Sequence, residues 1–282
     1  MRSFVVASFT LAAALLVPGL ASAKKLTVVS TTTAPAAIVE EIGGDRVRVL
    51  SLCKGYQDPH FLDAKPSYMV EMNRADLVVA IGLDLEIGYL PTLVSGSRNP
   101  KIQGGNGFLD LSTVMEPKDA VGLVDRRAGD VHPTGNPHYW LDPENGRLMA
   151  RAIAERLTAL DPEGTASYQT NLTAWEKRLD EKEADWAKRM GPLKGQKIAT
   201  FHKSWTYFAD RYGLQVIGYV EPKPGIPPTP SHTLDLIRQM QGEKAKFIIM
   251  ENFYDRRAPD VIAKNTGAKV VYVPNNVGGE DT

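Results

Sequence analysis

Residues 47–81 read VRVLSLCKGYQDPHFLDAKPSYMVEMNRADLVVAI, and this stretch contains the pattern that decides the fold. The β-branched, apolar run at 47–52 predicts a strand, and the helical spacing at 67–73 predicts a helix with Ser67 as its cap. The run at 77–81 is apolar throughout, which is typical of a strand buried on both faces of a parallel sheet. The stretch therefore predicts two strands, joined by a helix, in a sheet that helices cover.

The same alternation continues on both sides of this stretch. Before it, 26–30 predicts a strand and 35–42 predicts a helix that ends at Gly43-Gly44. The second half of the chain alternates in the same way, with strands at 197–201, 215–219, 247–250 and 269–273 and helices at 204–212, 231–241 and 258–266. We therefore predict an α/β fold of two lobes, each with a mainly parallel sheet flanked by helices.

One long helix is predicted between the two lobes. Asp161-Pro162-Glu163 has the composition of a helix start, with Asp161 as the capping residue, and the helical pattern runs to Met190. Nearly thirty residues at ~1.5 Å each make a rigid helix of ~40 Å. We therefore divide the chain into a first lobe at 24–160, a linking helix at 161–190 and a second lobe at 191–282. Whether a further helix follows the second lobe stays open.

Composition and the first residues indicate an exported protein. The chain of 282 residues carries 33 basic and 33 acidic side chains without a long run of one sign, which indicates neither nucleic-acid binding nor a basic membrane patch. Residues 1–23 have Arg2, an apolar run and the sequence Ala21-Ser22-Ala23, which predict a signal peptide. Cys53, the only cysteine, lies well beyond the cleavage site, so we expect no lipid anchor and no membrane insertion after cleavage.

Histidines suggest a metal site. Five are present, and three of them, His60, His138 and His202, each follow an extended segment. Ligands of open α/β sheets gather outside the carboxyl ends of the strands, and neutral imidazole is a common zinc ligand. We therefore predict that the three rings meet in the cleft, two from the first lobe and His202 from the second. Each of them alone would more often be a surface or structural histidine than a ligand, so the prediction depends on the context that the three share.

The residues around these histidines leave several roles open. Asp58 and Asp142 lie near candidate ligands and can either accept a hydrogen bond from a ligand ring or cap a turn. His132 lies on a loop that can fold over the site, although a solvated position is the default for such a residue. His232 opens a helix, and a structural role is its default too.

Taken together, these segments resemble the periplasmic solute-binding proteins of zinc and manganese ABC transporters, the ZnuA/TroA-like family. The resemblance spans nearly the whole chain after residue 23 and is carried by these segments: Asp58-Pro59-His60, Lys65-Pro66-Ser67, Ala75-Asp76-Leu77-Val78-Val79, Pro137-His138-Tyr139-Trp140-Leu141-Asp142-Pro143, Phe201-His202 with Tyr207-Phe208, Glu251-Asn252, Ile262-Ala263 and Thr266-Gly267-Ala268-Lys269-Val270. It implies one divalent metal between the lobes, with His60, His138 and His202 as ligands. Histidine at 202, where manganese-binding members often have a carboxylate, implies zinc. The fourth ligand stays open among His232, Glu280, Asp281 and water.

The resemblance implies a transport function and not catalysis. We expect a monomeric periplasmic protein that binds Zn²⁺ with high affinity as cargo and delivers it to the membrane permease of an ABC transporter. Mn²⁺ or Fe²⁺ is the alternative cargo. A zinc hydrolase with three histidine ligands is the alternative from a different class, although the chain has neither a His-Glu-x-x-His segment nor a Gly-x-Ser-x-Gly segment.

Overall fold

The first lobe is built on a four-stranded parallel sheet. The computed structural model describes residues 25–122 and 132–280, so the predicted signal peptide lies outside the described residues. Four strands form the sheet in the order β2-β1-β3-β4: β1 (Leu26–Ser30), β2 (Val47–Ser51), β3 (Leu77–Ala80) and β4 (Phe108–Asp110). All four residues of β3 are buried, which confirms the prediction of a strand covered on both faces.

Helices cover both faces of this sheet: α1 (Thr33–Gly43), α2 (Pro66–Arg74), α3 (Leu90–Ser97) and α4 (Pro143–Leu160). One apolar cluster lies between the sheet and α1 and α4, and a second lies between the sheet and α2 and α3. The predicted cap at Ser67 is wrong, because α2 begins at Pro66 after Lys65, in keeping with the preference of proline for the first helical turn. The sequence interpretation also missed α3, a helix of only eight residues.

The second lobe repeats the architecture of the first. Its parallel sheet has the order β6-β5-β7-β8, formed by β5 (Lys197–Thr200), β6 (Gln215–Tyr219), β7 (Phe247–Met250) and β8 (Lys269–Tyr272). Three helices accompany these strands: α6 (Thr206–Tyr212), α7 (Pro230–Glu243) and α8 (Arg257–Thr266). In each sheet, the first strand in sequence lies second in the sheet, between the second and the third strands in sequence, and the fourth strand lies at the edge beside the third. The two sheets therefore have the same topology. The prediction of two parallel α/β lobes is confirmed.

The long helix α5 (Thr165–Met190) joins the lobes. Its 26 residues correspond to ~39 Å, and it packs along α1 and α4. The predicted capping role of Asp161 is wrong, because its side chain caps nothing and a 3₁₀ turn at Pro162–Gly164 precedes the helix. Where the lobes begin and end, at 160 and 191, stays a prediction. No helix among the described residues has the length and apolar character needed to cross a bilayer.

Asp161 instead ties the start of this helix to the first lobe. Its carboxylate accepts two hydrogen bonds from Arg46, at 2.6 and 2.8 Å, and one from the Tyr168 hydroxyl at 2.6 Å. The side chains of Arg46 and Asp161 are only 25% and 18% exposed, so solvent screens this pair less than a surface pair.

We therefore expect Asp161→Ala to lower the thermal unfolding midpoint by about 5 °C, because it leaves Arg46 and Tyr168 without their shared acceptor. The matched control is Arg178→Ala, which removes an ion pair to Glu41 whose side chains are 53% and 55% exposed. That change is expected to shift the midpoint by about 1 °C or less, as for surface pairs in general. Equal shifts for the two variants, measured by calorimetry, would contradict the anchoring role of Asp161.

Candidate metal centre

Three histidines from different elements meet between the lobes. His60 lies on the loop after β2, His138 begins the 3₁₀ turn before α4, and His202 lies two residues after the end of β5. The ring centroids are 5.2 Å apart in each of the three pairs, and one ligand nitrogen of each ring lies within 4.8 Å of the others. His138 and His202 are buried, and the side chain of His60 is 7% exposed. The structure therefore brings together the three rings that the sequence interpretation singled out.

Each of these rings is oriented through its Nδ1 atom. Asp58 faces Nδ1 of His60 at 2.7 Å, Asn136 faces Nδ1 of His138 at 2.8 Å and Glu221 faces Nδ1 of His202 at 2.8 Å. An oxygen acceptor at Nδ1 favours the tautomer with the proton on that atom, which puts the lone pair that can bind a cation on Nε2. This is the arrangement in which histidines bind zinc.

Two of the three acceptors come from one local motif. In Asp58-Pro59-His60 and in Asn136-Pro137-His138, the first residue accepts hydrogen bonds from both the backbone N–H, at 3.0 Å, and the ring of the histidine. The sequence interpretation named Asp58 but missed Asn136, although the repeated spacing contained the signal. It considered Asp142 instead, which accepts from the backbone N–H of Glu144 at the start of α4 and pairs with Arg211. Asp142 thus has the capping role.

A fourth histidine lies against the three. Nε2 of His132 is 3.2 Å from Nε2 of His60, and the centroids of these two rings are 5.3 Å apart. Two nitrogens bound to one tetrahedral Zn²⁺ at ~2.0–2.1 Å lie ~3.3 Å apart, close to the separation found here. Sequence reasoning left His132 as a solvated loop residue, because nothing in its local sequence indicates this contact.

The environment keeps two of the rings neutral. Burial, followed by the charges of His60 and His202, lowers the pKa of His132 to about 3. Burial also lowers the pKa of His138 well below its ordinary value. Burial alone would raise the pKa of Asp58, but the hydrogen bonds and charge of His60 outweigh it and lower that pKa. Neutral imidazoles beside a charged carboxylate are the state that binds a divalent cation.

The other candidates for a fourth ligand lie elsewhere or outside the described residues. Nε2 of His232 faces the carbonyl of Tyr219 at 2.9 Å, Glu280 is exposed, and Asp281 is not among the described residues. Glu251, directly after β7, is completely buried: it accepts from the Ser204 hydroxyl through Oε1, while Oε2 has no hydrogen-bond partner within residues 25–122 and 132–280. Burial raises the pKa of Glu251 to about 8, and the charges of Asp58 and Glu221 contribute to this rise.

The fold has two parallel-sheet lobes, a long joining helix and a buried histidine cluster between the lobes. These features define the class of substrate-binding proteins that bind a divalent metal as cargo and work with the membrane permease of an ABC transporter. The family model described as "Zinc-uptake complex component A periplasmic" (ZnuA) matches residues 28–282. The chain belongs to this family.

The relatives and solved structures that this chain resembles are named for different metals or for metal in general. The manganese ABC transporter substrate-binding lipoprotein PsaA of Streptococcus pneumoniae is 27% identical over 254 residues, covering 88% of this chain and 79% of that protein. The metal ABC transporter substrate-binding lipoprotein FimA of Streptococcus parasanguinis is 28% identical over 251 residues, covering 87% and 78%. A crystal structure of ZnuA superposes with a TM-score of 0.77 at 27% identity, covering 90% of this chain and 93% of that chain. FpvC of Pseudomonas aeruginosa in complex with Mn²⁺ superposes with a TM-score of 0.78 at 25% identity, covering 89% of each chain.

Proposed function

We propose that this protein binds Zn²⁺ in the periplasm and delivers it to the permease of its ABC transporter. The observation that carries this proposal is the convergence of three buried imidazoles, His60, His138 and His202, each with an acceptor at Nδ1 that leaves Nε2 for the metal. Ligands from both lobes would place the ion in the cleft between them. Release to the permease then requires the lobes to separate, because His202 belongs to the second lobe.

The choice of Zn²⁺ over Mn²⁺ rests on the chemistry of the donor atoms. The group of side chains close enough to share one ion consists, among the described residues, of three histidines without an aspartate or glutamate. Imidazole nitrogen suits Zn²⁺, whereas Mn²⁺ prefers carboxylate, carbonyl and water oxygens, and Zn²⁺ also lies above Mn²⁺ in intrinsic affinity. The relative PsaA, named for manganese, shows that the fold alone does not decide the metal.

His132 is our proposal for the fourth ligand. Its Nε2 atom lies at the separation from His60 Nε2 that a tetrahedral ion requires, and its ring is neutral at every physiological pH. His132 lies outside the set of rings within 4.8 Å of one another, with its centroid 6.2 Å from that of His138. Binding would therefore draw the four rings together, to nitrogen separations of ~3.3 Å.

Competition titration against a chelator tests the proposed cargo. We expect Zn²⁺ to bind at least about 100-fold more tightly than Mn²⁺, because imidazole ligands suit Zn²⁺ and because Mn²⁺ has the lowest affinity in the Irving–Williams order. Elemental analysis of protein purified under anaerobic conditions is expected to find zinc. A higher affinity for Mn²⁺ than for Zn²⁺ would contradict the proposal. It would favour Mn²⁺ as the cargo, the metal for which several relatives are named.

We further propose that the protein is not an enzyme, acts as a monomer and carries no lipid. A catalytic zinc keeps an open position for water, and His132 would fill that position. Cys53, the only cysteine of the sequence, is buried, which makes it unsuitable as a lipid attachment site, although related proteins are named lipoproteins. Turnover of ester and amide substrates by the zinc-loaded protein, a lipid adduct in its mass spectrum or a dimer in solution would each contradict one of these points.

A further inference from the structure

Asn136 uses both ends of its side-chain amide. Its Oδ1 atom accepts a hydrogen bond from the backbone N–H of His138, at 3.0 Å, and faces Nδ1 of the His138 ring at 2.8 Å. Its Nδ2 atom donates to the backbone carbonyl of Lys203 at 2.8 Å, and Lys203 directly follows His202. Asn136 is only 5% exposed. One buried amide therefore contacts both the turn that carries His138 and the turn that follows His202.

Neighbouring side chains hold the same junction between the lobes. The Asp119 carboxylate, from the first lobe, accepts from the Thr206 hydroxyl at 2.9 Å and pairs with the Lys203 ammonium at 3.2 Å. Tyr207 lies on α6 of the second lobe but is buried in the apolar cluster between the first sheet and α1 and α4. Its hydroxyl donates to the backbone carbonyl of Asn136 at 2.8 Å. The start of α6 is therefore fixed to the first lobe by contacts between protein atoms alone.

The amide at position 136 does more than orient one ring. Asp58 occupies the matching place in Asp58-Pro59-His60, and its carboxylate makes the same two contacts with its histidine. A carboxylate is therefore sufficient to accept from the backbone and to face the ring, but it has no N–H group. Asn136 supplies the donor that a carboxylate lacks, and this donor is the one that reaches the carbonyl next to His202.

We propose that Asn136 is a positioning residue that holds His138 and His202 at a fixed separation across the junction between the lobes. This inference rests on the proposed metal-binding function. Through Oδ1, Asn136 orients the His138 ring, and through Nδ2 it fixes the backbone directly after His202. The centroids of the two rings are 5.2 Å apart. Ligands that are held in place in this way bind an ion more tightly, because less ordering remains to be done on binding.

Asn136→Asp separates the two ends of the amide, because it keeps an acceptor for His138 and removes the donor to the Lys203 carbonyl. We expect this variant to raise the Kd for Zn²⁺ by about 10-fold or more, as for other outer partners of metal ligands. If Asn136 acted on the His138 ring alone, the added negative charge would leave the affinity equal or increase it. In ¹⁵N spectra of the metal-free variant, the His138 ring should stay protonated at Nδ1, so that a changed tautomer does not explain the loss.

The matched control is a contact that also crosses the junction but lies away from the ligands. Asp210→Ala removes the ion pair between α6 and Lys118, whose side chains are 56% and 40% exposed. We expect this variant to bind Zn²⁺ with the Kd of the wild type. A loss equal to that of Asn136→Asp would show that any weakening of the junction lowers the affinity, and the specific role of Asn136 would be wrong.

A second background tests whether Asn136 acts through His202. In His202→Ala protein, Asn136→Asp should change the Kd by less than about twofold, because no ligand remains next to the Lys203 carbonyl. If Asn136→Asp alone fails to fold, the cause is the new carboxylate, which faces that of Asp119 at the 3.2 Å position of Nδ2. Adding Asp119→Asn removes this repulsion, and the double variant should show the same loss and the same dependence. Wild-type affinity in Asn136→Asp, or an equal loss in both backgrounds, would overturn the positioning role.

The outcome for the wild type distinguishes this inference from the proposed function. If the wild type and Asn136→Asp bind Zn²⁺ equally tightly, only this inference fails. If the wild type binds neither Zn²⁺ nor Mn²⁺, the proposed function fails, and the inference fails with it. Loss of affinity in Asn136→Asp that depends on His202 supports both.

Discussion

Replacing His202 by alanine is expected to raise the Kd for Zn²⁺ by roughly 100- to 1,000-fold. Structural zinc sites of zinc-finger peptides supply roughly 10–16 kcal/mol, which over four ligands is about 2.5–4 kcal/mol for each. Each 1.4 kcal/mol changes an equilibrium constant tenfold, and His202 is the ligand that the second lobe contributes. The substitution also leaves Glu221, which faces the ring at 2.8 Å, buried without this partner.

The second lobe provides its own control for this experiment. His232, near the start of α7, is also a histidine of that lobe, but its Nε2 atom faces the carbonyl of Tyr219 at the end of β6. We expect His232→Ala to bind Zn²⁺ with unchanged affinity in the same competition titration. Equal affinities for His202→Ala and the wild type would remove the second lobe from the metal site, and with it the physical basis for cargo capture between the lobes.

Regular patterns made the fold and three of the site histidines predictable from sequence. A strand followed by a loop with a histidine recurs at β2 and β5, and parallel strands direct the residues after their carboxyl ends to one edge. His138 was predictable because Asn136-Pro137-His138 repeats the spacing of Asp58-Pro59-His60. These features are local, so neighbouring residues are sufficient to indicate them.

Contacts between distant segments were not predictable in the same way. His132 meets His60 across 72 residues, and Glu221 meets His202 from the neighbouring strand, at contacts that depend on how the chain packs. Asp161 has the sequence of a helix cap, yet its carboxylate pairs with Arg46 across 115 residues. Arg46 and Tyr168 bind both carboxylate oxygens of Asp161, which is why local propensity failed there.

Glu251 is a further residue whose importance depends on the fold. It is completely buried and directly follows β7, the strand that pairs with β5, and His202 lies two residues after β5. Burial, with a contribution from the charges of Asp58 and Glu221, raises its pKa to about 8, so its carboxyl group is protonated at pH 7. Without metal, this shift favours the folded state at low pH: its contribution is complete below 4.5 and is lost as the pH rises through 8.

Zinc binding is therefore expected to release a proton from Glu251. A divalent cation beside Asp58 and Glu221 offsets their negative charge, which lowers the pKa of Glu251 and favours its carboxylate form. His132 and His138 release no protons at pH 7, because the lowered pKa of each ring keeps it neutral. We expect Glu251→Gln to release about one proton fewer per Zn²⁺ than the wild type at pH 7.

Calorimetry in two buffers with different ionisation enthalpies measures this difference. Between pH 6 and 8 the Zn²⁺ affinity of the wild type should rise by up to about tenfold per pH unit, and that of Glu251→Gln should rise less steeply. Glu280→Gln, at an exposed carboxyl group, is the matched control and should behave as the wild type. Identical proton release in the wild type and Glu251→Gln would show that the cation does not act on Glu251.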